Sequence, residues 1–225
     1  MSNKRKYPKI AIDGPAGAGK STVAREVSRR LNIKYLDTGA MYRAVTLKVV
    51  RKNINLNDLE KLAEVMAQTT IELGEDNKVF LDGEDVTDEI RQPHVNDMVS
   101  PVSCISLVRR RLVAMQQAIA AESNGIIMEG RDISSRVMPD ADYKIYLDAT
   151  LKERTRRRNK EQLEKGIPLS EKEVASEILN RDNIDSQRDD SPLTIVSDAL
   201  IIDTTGMTFE MVVDKIIEVV NEGMR

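Results

Sequence analysis

The sequence predicts an α/β fold in three layers, with helices packed against a five-stranded parallel sheet. One observation behind this prediction is that short apolar runs alternate with helical patterns along most of the chain. Another is that residues 69–87 interrupt the alternation with closely spaced hairpin signals, which indicates an inserted antiparallel β subdomain. With 225 residues, 40% of them hydrophobic, the chain can form one large domain around its own core.

Five apolar runs predict the strands of the parallel sheet. They are Lys9 to Asp13, Lys34 to Asp37, Gly125 to Glu129, Lys144 to Asp148 and Ala199 to Asp203. In such sheets the functional side chains collect at the carboxyl ends of the strands. Polar residues follow all five runs here, so we predict that they share one cleft.

The insert is predicted from three shorter runs, which are Thr70 to Leu73, Lys78 to Leu81 and Glu84 to Thr87. Turn-forming residues separate them, at Gly74 to Asn77 and at Asp82-Gly83. Runs this short with turns this close favour antiparallel hairpins over crossover connections.

A phosphate-binding loop is predicted between the first strand and a helix from Ser21 to Leu31. Residues 14–21 read Gly-Pro-Ala-Gly-Ala-Gly-Lys-Ser, which fits the pattern Gly-x4-Gly-Lys-[Ser/Thr] in its required context. The glycines let the backbone wrap around phosphate oxygens, and the helix adds the positive end of its dipole. Lys20 should reach the β- and γ-phosphates, and the Ser21 hydroxyl should bind Mg²⁺. A turn that is glycine-rich by chance is the alternative, and the spacing argues against it.

The predicted nucleotide-binding residues are Gly14, Pro15, Ala16, Gly17, Ala18, Gly19, Lys20, Ser21 and Thr22. Asp13, directly before the loop, has two interpretations. Its carboxylate could approach the metal through water, or it could simply anchor the turn.

Composition excludes several other classes of protein. A formal net charge of −3 argues against a general nucleic-acid binder. Cys104 is the only cysteine, so no intramolecular disulfide can form, which suits a reducing compartment. No signal-like stretch and no run of about 18 apolar residues is found. We therefore predict a cytoplasmic protein with no membrane segment.

A basic cluster begins at Leu151. It contains Lys152, Arg154, Arg156, Arg157, Arg158 and Lys160. A solvated helix with i,i+4 ion pairs explains most of these residues. Arg154 and Arg158 share one helical face, however, and arginines on a mobile segment can neutralise a transferring phosphoryl group.

A second group is formed by Arg181, Asp185 and Arg188, whose spacing predicts one face of one helix. A surface ion-pair ladder is one interpretation. Phosphate binding is the other, because a guanidinium can hold phosphate through two hydrogen bonds.

Several motifs, in this order, resemble the bacterial cytidylate kinase family, within the P-loop nucleoside monophosphate kinases. They are Gly14 to Ser21, Leu36-Asp37-Thr38-Gly39-Ala40-Met41-Tyr42-Arg43, Gly83-Glu84-Asp85-Val86-Thr87, Gly130-Arg131-Asp132, Pro139-Asp140-Ala141, and Arg181 to Arg188 followed by Ser191-Pro192-Leu193. The resemblance spans almost the whole chain, and the run from Asp37 to Arg43 is highly specific.

The resemblance implies a transferase of pyrimidine nucleotide metabolism that moves the γ-phosphoryl group of ATP, with Mg²⁺, to CMP or dCMP. It implies one domain: a core of residues 1–37, 110–150 and 166–225, a monophosphate-binding region with its insert at 38–109, and a short helical lid at 151–165. It also implies catalytic roles for Lys20, Arg154 and Arg158. The expected partners are small molecules, and the expected state is a monomer.

The family's acceptor contacts map onto nine positions of this chain. The resemblance implies that Thr38, Arg43, Arg131 and Arg188 hold the CMP phosphate, that Ser100, Arg109 and Asp132 read the cytosine edge, and that Arg181 and Asp185 address the sugar. The order of preference among CMP, dCMP and UMP stays open.

The chain departs from the family in two places. Ser134-Ser135-Arg136-Val137 stands where many relatives have Gly-Thr-x-Val, and Glu129 stands where an aspartate is common.

Two alternative functions remain: another small-molecule kinase, such as a uridylate kinase, or a regulatory P-loop GTPase. Asp203 to Gly206 satisfies Asp-x-x-Gly, but a guanine-reading Asn-Lys-x-Asp motif is missing. We interpret that tetrapeptide as a loop near the donor adenine or as a plain turn before a helix capped by Thr208.

Overall fold

A computed structural model of the protein describes residues 7–74, 77–164, 166 and 170–223. The chain divides into two compact units. One contains the residues up to Tyr35 and those from Ala120 onward, and the other runs from Leu36 to Ile119. The sequence-based division into one domain with a region at 38–109 and a lid at 151–165 stays a prediction, and Lys165 lies outside the described residues.

The predicted parallel sheet is confirmed. Its strands are β1 (Lys9–Asp13), β2 (Lys34–Asp37), β6 (Ile126–Gly130), β7 (Tyr143–Asp148) and β8 (Leu200–Asp203), in the order β2-β6-β1-β7-β8. Each observed end lies close to the predicted one. Every residue of the central strand β1 is buried, as expected for a strand covered on both faces.

Eight α-helices are described. They are α1 (Lys20–Leu31), α2 (Thr38–Arg51), α3 (Leu59–Ala67), α4 (Pro93–Ser103), α5 (Ser106–Glu122), α6 (Leu151–Glu164), α7 (Glu171–Gln187) and α8 (Phe209–Gly223), with a 3₁₀ turn at Glu89–Arg91 and a π-helical turn at Ile133–Val137. In the described part of the chain, none of these helices is both long and apolar enough to span a membrane.

The core of the first unit lies around strand β1. Ile10 and Ile12 are fully buried there, together with Val27 of α1 and Ile216 of α8. Each such side chain contributes about 1.5–3 kcal/mol to folding through its removal from water. This packing fixes the carboxyl end of β1, where the phosphate loop begins.

The second unit contains the predicted antiparallel insert, whose strands are β3 (Ile71–Leu73), β4 (Val79–Leu81) and β5 (Glu84–Asp85). Two residues of the predicted first turn, Glu75 and Asp76, lie outside the described residues. The third strand is shorter than predicted because the Asp85 carboxylate accepts hydrogen bonds from the Thr87 backbone N–H and hydroxyl, which turns the chain.

One predicted helix ends earlier than expected. Helix α7 stops at Gln187, and Arg188 has an extended backbone with φ −66° and ψ 144°. The chain then folds back, so that the Leu193 N–H donates to the Asp185 carbonyl at 2.8 Å. The prediction that Arg188 lies on the same helix as Arg181 and Asp185 is therefore wrong.

Candidate active site

The phosphate loop occupies the turn between β1 and α1. Gly14, Gly17 and Gly19 have φ values of 152°, 77° and 88°, a region that favours glycine. A Cβ atom on Gly14 would lie 2.1 Å from the Leu147 carbonyl oxygen, so a side chain cannot be placed there. Thr22, the last predicted loop residue, donates its hydroxyl to the Gly19 carbonyl at 2.8 Å.

Lys20 is buried at the start of α1. Its ammonium group donates to the Pro15 carbonyl at 2.8 Å, so it lies across the loop. Burial, and second to it the positive charge of Arg131, lowers the pKa of Lys20 to about 7. A bound polyphosphate would reverse this effect, because it supplies the compensating negative charge.

Ser21 contacts a carboxylate from a neighbouring strand. Its hydroxyl donates to Glu129 Oε1 at 2.7 Å, and the Glu129 side chain is buried at the end of β6. A hydroxyl that donates to a carboxylate keeps its oxygen lone pairs available for a cation. In the sequence, Glu129 is a departure from the family and also the last residue of a predicted strand, one of the polar strand ends expected to share a cleft. That position at the carboxyl end of a strand is the signal for its contact with Ser21 of the loop.

Asp13 serves as an anchor. One of its carboxylate oxygens accepts from the Ile133 N–H and the other from the Ser134 N–H, both at 2.8 Å. Burial raises the pKa of Asp13 above its ordinary value. Because both contacts go to backbone groups, the unusual side chains at Ser134-Ser135-Arg136 leave them intact. Of the two interpretations of Asp13, the geometry favours the anchored turn.

Four predicted acceptor residues of the first unit form one charged cluster. Asp185 accepts from Arg131 Nε at 2.8 Å through one oxygen and from Arg188 Nη1 at 3.3 Å through the other. Arg188 also donates to the Ser191 carbonyl at 2.7 Å, and Asp132 lies 3.8 Å from its guanidinium. Asp185 thereby holds two arginines side by side.

The cluster is electrostatically linked to the phosphate loop. Burial by itself would raise the pKa of Asp185, but Arg131, Arg181 and Arg188 outweigh it and lower that pKa. Arg131 and Arg181 also lower the pKa of Lys20, so both lie within electrostatic range of the loop. The excess of positive charge favours phosphate groups.

Helix α6 contacts the loop through two arginines. Arg154 is buried and donates to the Ala16 carbonyl at 2.9 Å. Arg157 donates to Thr204 Oγ1 at 2.9 Å and to the Ala18 carbonyl at 3.4 Å. Arg158, for which the sequence analysis expects a catalytic role, pairs with Glu161 at 3.0 Å, whereas Arg157 contacts the loop. The sequence offered no signal that would separate Arg157 from its five basic neighbours.

The remaining predicted acceptor residues belong to the second unit. Thr38 is buried as the first residue of α2, and Arg43 pairs with Asp37 at 2.8 Å. Arg109 is 1% exposed and lies over the Tyr42 ring at 5.3 Å from its centroid. Ser100 lies in the last turn of α4.

The fold and the loop place the protein in the class of P-loop kinases, in which a glycine-rich turn after a parallel strand holds the donor phosphates. Within that class, the cytidylate kinase family model matches residues 10–222. The chain belongs to the cytidylate kinase family and is a phosphotransferase.

Individual relatives agree over nearly the full length. A cytidylate kinase of Caldanaerobacter subterraneus is 51% identical over 217 residues, which cover 96% of either chain. One of Geobacillus thermodenitrificans is 46% identical, over 95% of this chain and 96% of its own. A shikimate kinase structure from Acinetobacter baumannii aligns with a TM-score of 0.50 at 13% identity, over 97% of this chain and 95% of that one. That likeness concerns the fold alone.

Proposed function

We propose that the protein transfers the γ-phosphoryl group of ATP, as its magnesium complex, to CMP and dCMP. The observation that carries this proposal is the arginine and carboxylate cluster around Asp185, which lies within electrostatic range of Lys20. Family membership supplies the identity of the acceptor. The uridylate kinase and GTPase alternatives gain no support from the relatives.

The reaction needs no general base. An oxygen of the acceptor phosphate, already anionic near neutral pH, attacks the γ-phosphorus, and the bond to the β–γ bridging oxygen breaks to release ADP. The protein has to align the two phosphates and to neutralise their charge. We assign the donor phosphates to Lys20 and the loop backbone, and the acceptor phosphate to Arg131 and Arg188.

The residues present fit a magnesium ion. The Ser21 hydroxyl is oriented by its hydrogen bond to Glu129. The Ser21 hydroxyl oxygen and the Glu129 carboxylate oxygens are ligands of the kind that Mg²⁺ prefers. Ser21 would hold the ion, whose positive charge would offset the negative charge of the donor phosphates. Glu129, one methylene longer than the aspartate that the family resemblance implies at this position, would orient the Ser21 hydroxyl.

Selectivity for cytosine is assigned to Asp132. Cytosine offers an amino group where uracil offers a carbonyl, so a carboxylate can accept from cytosine and would repel uracil. Asp132 is buried and lies 3.8 Å from Arg188. The family resemblance implies the same role.

The roles of Thr38, Arg43, Ser100 and Arg109 as acceptor contacts stay predictions. So do the catalytic roles of Arg154 and Arg158, and the sugar contacts of Arg181 and Asp185. A monomeric state and a cytoplasmic location are likewise expectations from the sequence.

The proposal is tested by ADP release with Mg²⁺–ATP and a panel of CMP, dCMP, UMP, AMP and GMP. We expect high activity with CMP and dCMP, weaker activity with UMP and little with the purines. Asp132→Ala should lower the CMP/UMP ratio of kcat/KM by roughly tenfold or more, the loss of about one hydrogen bond to a charged group.

The matched control is Arg188→Ala, which should weaken all acceptors alike because it removes a phosphate contact. Steady nucleotide hydrolysis without any acceptor would contradict the proposal. An unchanged CMP/UMP ratio in Asp132→Ala would overturn only the role of that residue.

A further inference from the structure

Ala16 of the phosphate loop contacts helices α6 and α7 through its N–H, its carbonyl and its methyl group. Its N–H donates to Asp182 Oδ1 of α7 at 2.9 Å, and its carbonyl accepts from Arg154 of α6 at 2.9 Å. Its methyl group packs against Val174 and Ile178 of α7. A single loop residue therefore docks both helices.

The two polar partners of Ala16 also bind each other. The second carboxylate oxygen of Asp182 forms an ion pair with Arg154, and the two side chains are only 17% and 10% exposed. Arg154 further donates to the Ala149 carbonyl at 3.0 Å, next to the start of α6. The result is a closed ring of Asp182, Arg154 and the backbone of Ala16, which we call the Ala16 clamp.

Helix α7 also carries residues of the acceptor cluster. Asp185, one turn after Asp182, binds Arg131 at 2.8 Å, and Arg181 is the neighbour of Asp182 in sequence. Any shift of α7 along the phosphate loop would therefore move the arginines that we assign to the acceptor. The Ala16 clamp fixes the position of α7 relative to the phosphate loop.

Resting on the function proposed above, we infer that Asp182 is a positioning residue for phosphoryl transfer. It holds the α6–α7 pair in register with the donor loop, so that acceptor and donor phosphates meet in line. Both of its carboxylate oxygens are engaged by protein groups, so we assign it no contact with either substrate. Its two oxygens act on the loop backbone and on Arg154, and the effect on the reaction passes through them.

The negative charge of Asp182 indicates that it does more than hold Ala16 through one hydrogen bond, and supports a role in positioning α6 and α7. A carboxylate beside a loop that binds polyphosphate repels the ligand, and a neutral Asn could accept the Ala16 hydrogen bond without that cost. The negative charge is matched to Arg154 instead. The clamp is therefore complete only when α6 lies against the loop.

Loss of the clamp should appear in kcat. The loop and the acceptor cluster each keep their own binding groups, so KM for ATP and CMP should change by less than about threefold. Misalignment of about 1 Å between reacting groups lowers the rate by about 100-fold. Asp182→Asn keeps one hydrogen bond and loses the ion pair, whereas Asp182→Ala loses both.

We expect kcat with CMP to fall about tenfold in Asp182→Asn and about 100-fold in Asp182→Ala. Glu177→Gln is the matched control, because Glu177 is an exposed acid on the same helix, and it should be as active as the wild type. In an Arg154→Gln background, the further substitution Asp182→Asn should lower kcat by less than about threefold, since the two residues act together. Wild-type kcat in Asp182→Ala, or equal losses in kcat and in acceptor binding, would overturn the inference.

Amide hydrogen exchange tests whether Asp182 stabilises the Ala16 clamp, and the measurement needs no acceptor nucleotide. Peptides that contain Ala16, and those from the start of α6, should exchange faster in Asp182→Ala than in Glu177→Gln. Unchanged exchange would refute the clamp even if CMP is not phosphorylated. If the wild type fails on CMP while the exchange responds, the proposed function is wrong and the clamp stands.

Discussion

Lys20 is the residue at which burial and function oppose each other most directly. The residue is 5% exposed, and burial favours the neutral amine, while phosphate binding requires the ammonium form. The motif predicted its role, because eight residues in a fixed order determine the loop. The lowered pKa of Lys20 could not be predicted, since it depends first on burial and then on Arg131, and both arise from segments distant in sequence.

We expect Lys20 to take up a proton when the donor binds. The pKa of Lys20, about 7 in the protein alone, lies below the ordinary 10.5, and bound phosphates should raise it again. Between about pH 7 and pH 10, binding should therefore consume up to one proton, and donor affinity should fall as the pH rises. Below that window Lys20 is already protonated, and no uptake is expected.

Calorimetric titration with Mg²⁺–ADP at about pH 8, in two buffers of different ionisation enthalpy, measures the uptake. ADP suits the test because its phosphates are already ionised at that pH. In Lys20→Arg the uptake should vanish, since a guanidinium stays charged throughout. Uptake that persists in Lys20→Arg would assign it to another group.

At the scale of the element, helix α7 shows what a sequence pattern can and cannot determine. The spacing of Arg181 and Asp185 correctly predicted one helix. It extended that helix to Arg188, because residue spacing carries no information about where a chain folds back. The helix ends at Gln187, and the chain beyond it folds back through Ser191, with φ 53°, and the hydrogen bond from the Leu193 N–H to the Asp185 carbonyl. The spacing of the charged residues predicts neither feature.

The start of α7 offers a sharp stability prediction. Ser170 and Glu173 form a capping box, in which each side chain satisfies a backbone N–H of the other. Ser170→Ala should lower the free energy of unfolding by about 1 kcal/mol. Ser176→Ala, at an exposed position within the same helix, should raise it by up to about 0.5 kcal/mol, because alanine is the better helix former.

Urea unfolding measures both variants. The acceptor cluster lies near the other end of α7, so KM for CMP should stay unchanged in either. Equal effects of the two substitutions would show that the box contributes nothing beyond helix propensity.

At the scale of the whole molecule, the alternation of apolar runs predicts the parallel sheet, because its central strands are largely buried and leave a direct pattern in the sequence. The antiparallel insert is predicted by its short runs and close turn residues. The candidate site was predicted through local motifs and the family resemblance. Glu129, Arg157 and Asp182 were not assigned to it, since their roles arise from contacts between segments far apart in the chain. Charge on a helix surface gives no sign of which arginine meets a distant loop.

The sequence predicts one domain, whereas the packing divides into two compact units, and unfolding with a donor ligand tests whether they act as one. Mg²⁺–ADP at about 100 times its Kd should stabilise the folded state by about 2.7 kcal/mol, which corresponds to a Tm increase of roughly 5–10 °C. If the chain is one cooperative domain, a single calorimetric transition should move as a whole. Two transitions, of which only one responds to the ligand, would contradict the single-domain prediction and would assign the stabilisation to the unit that contains the phosphate loop.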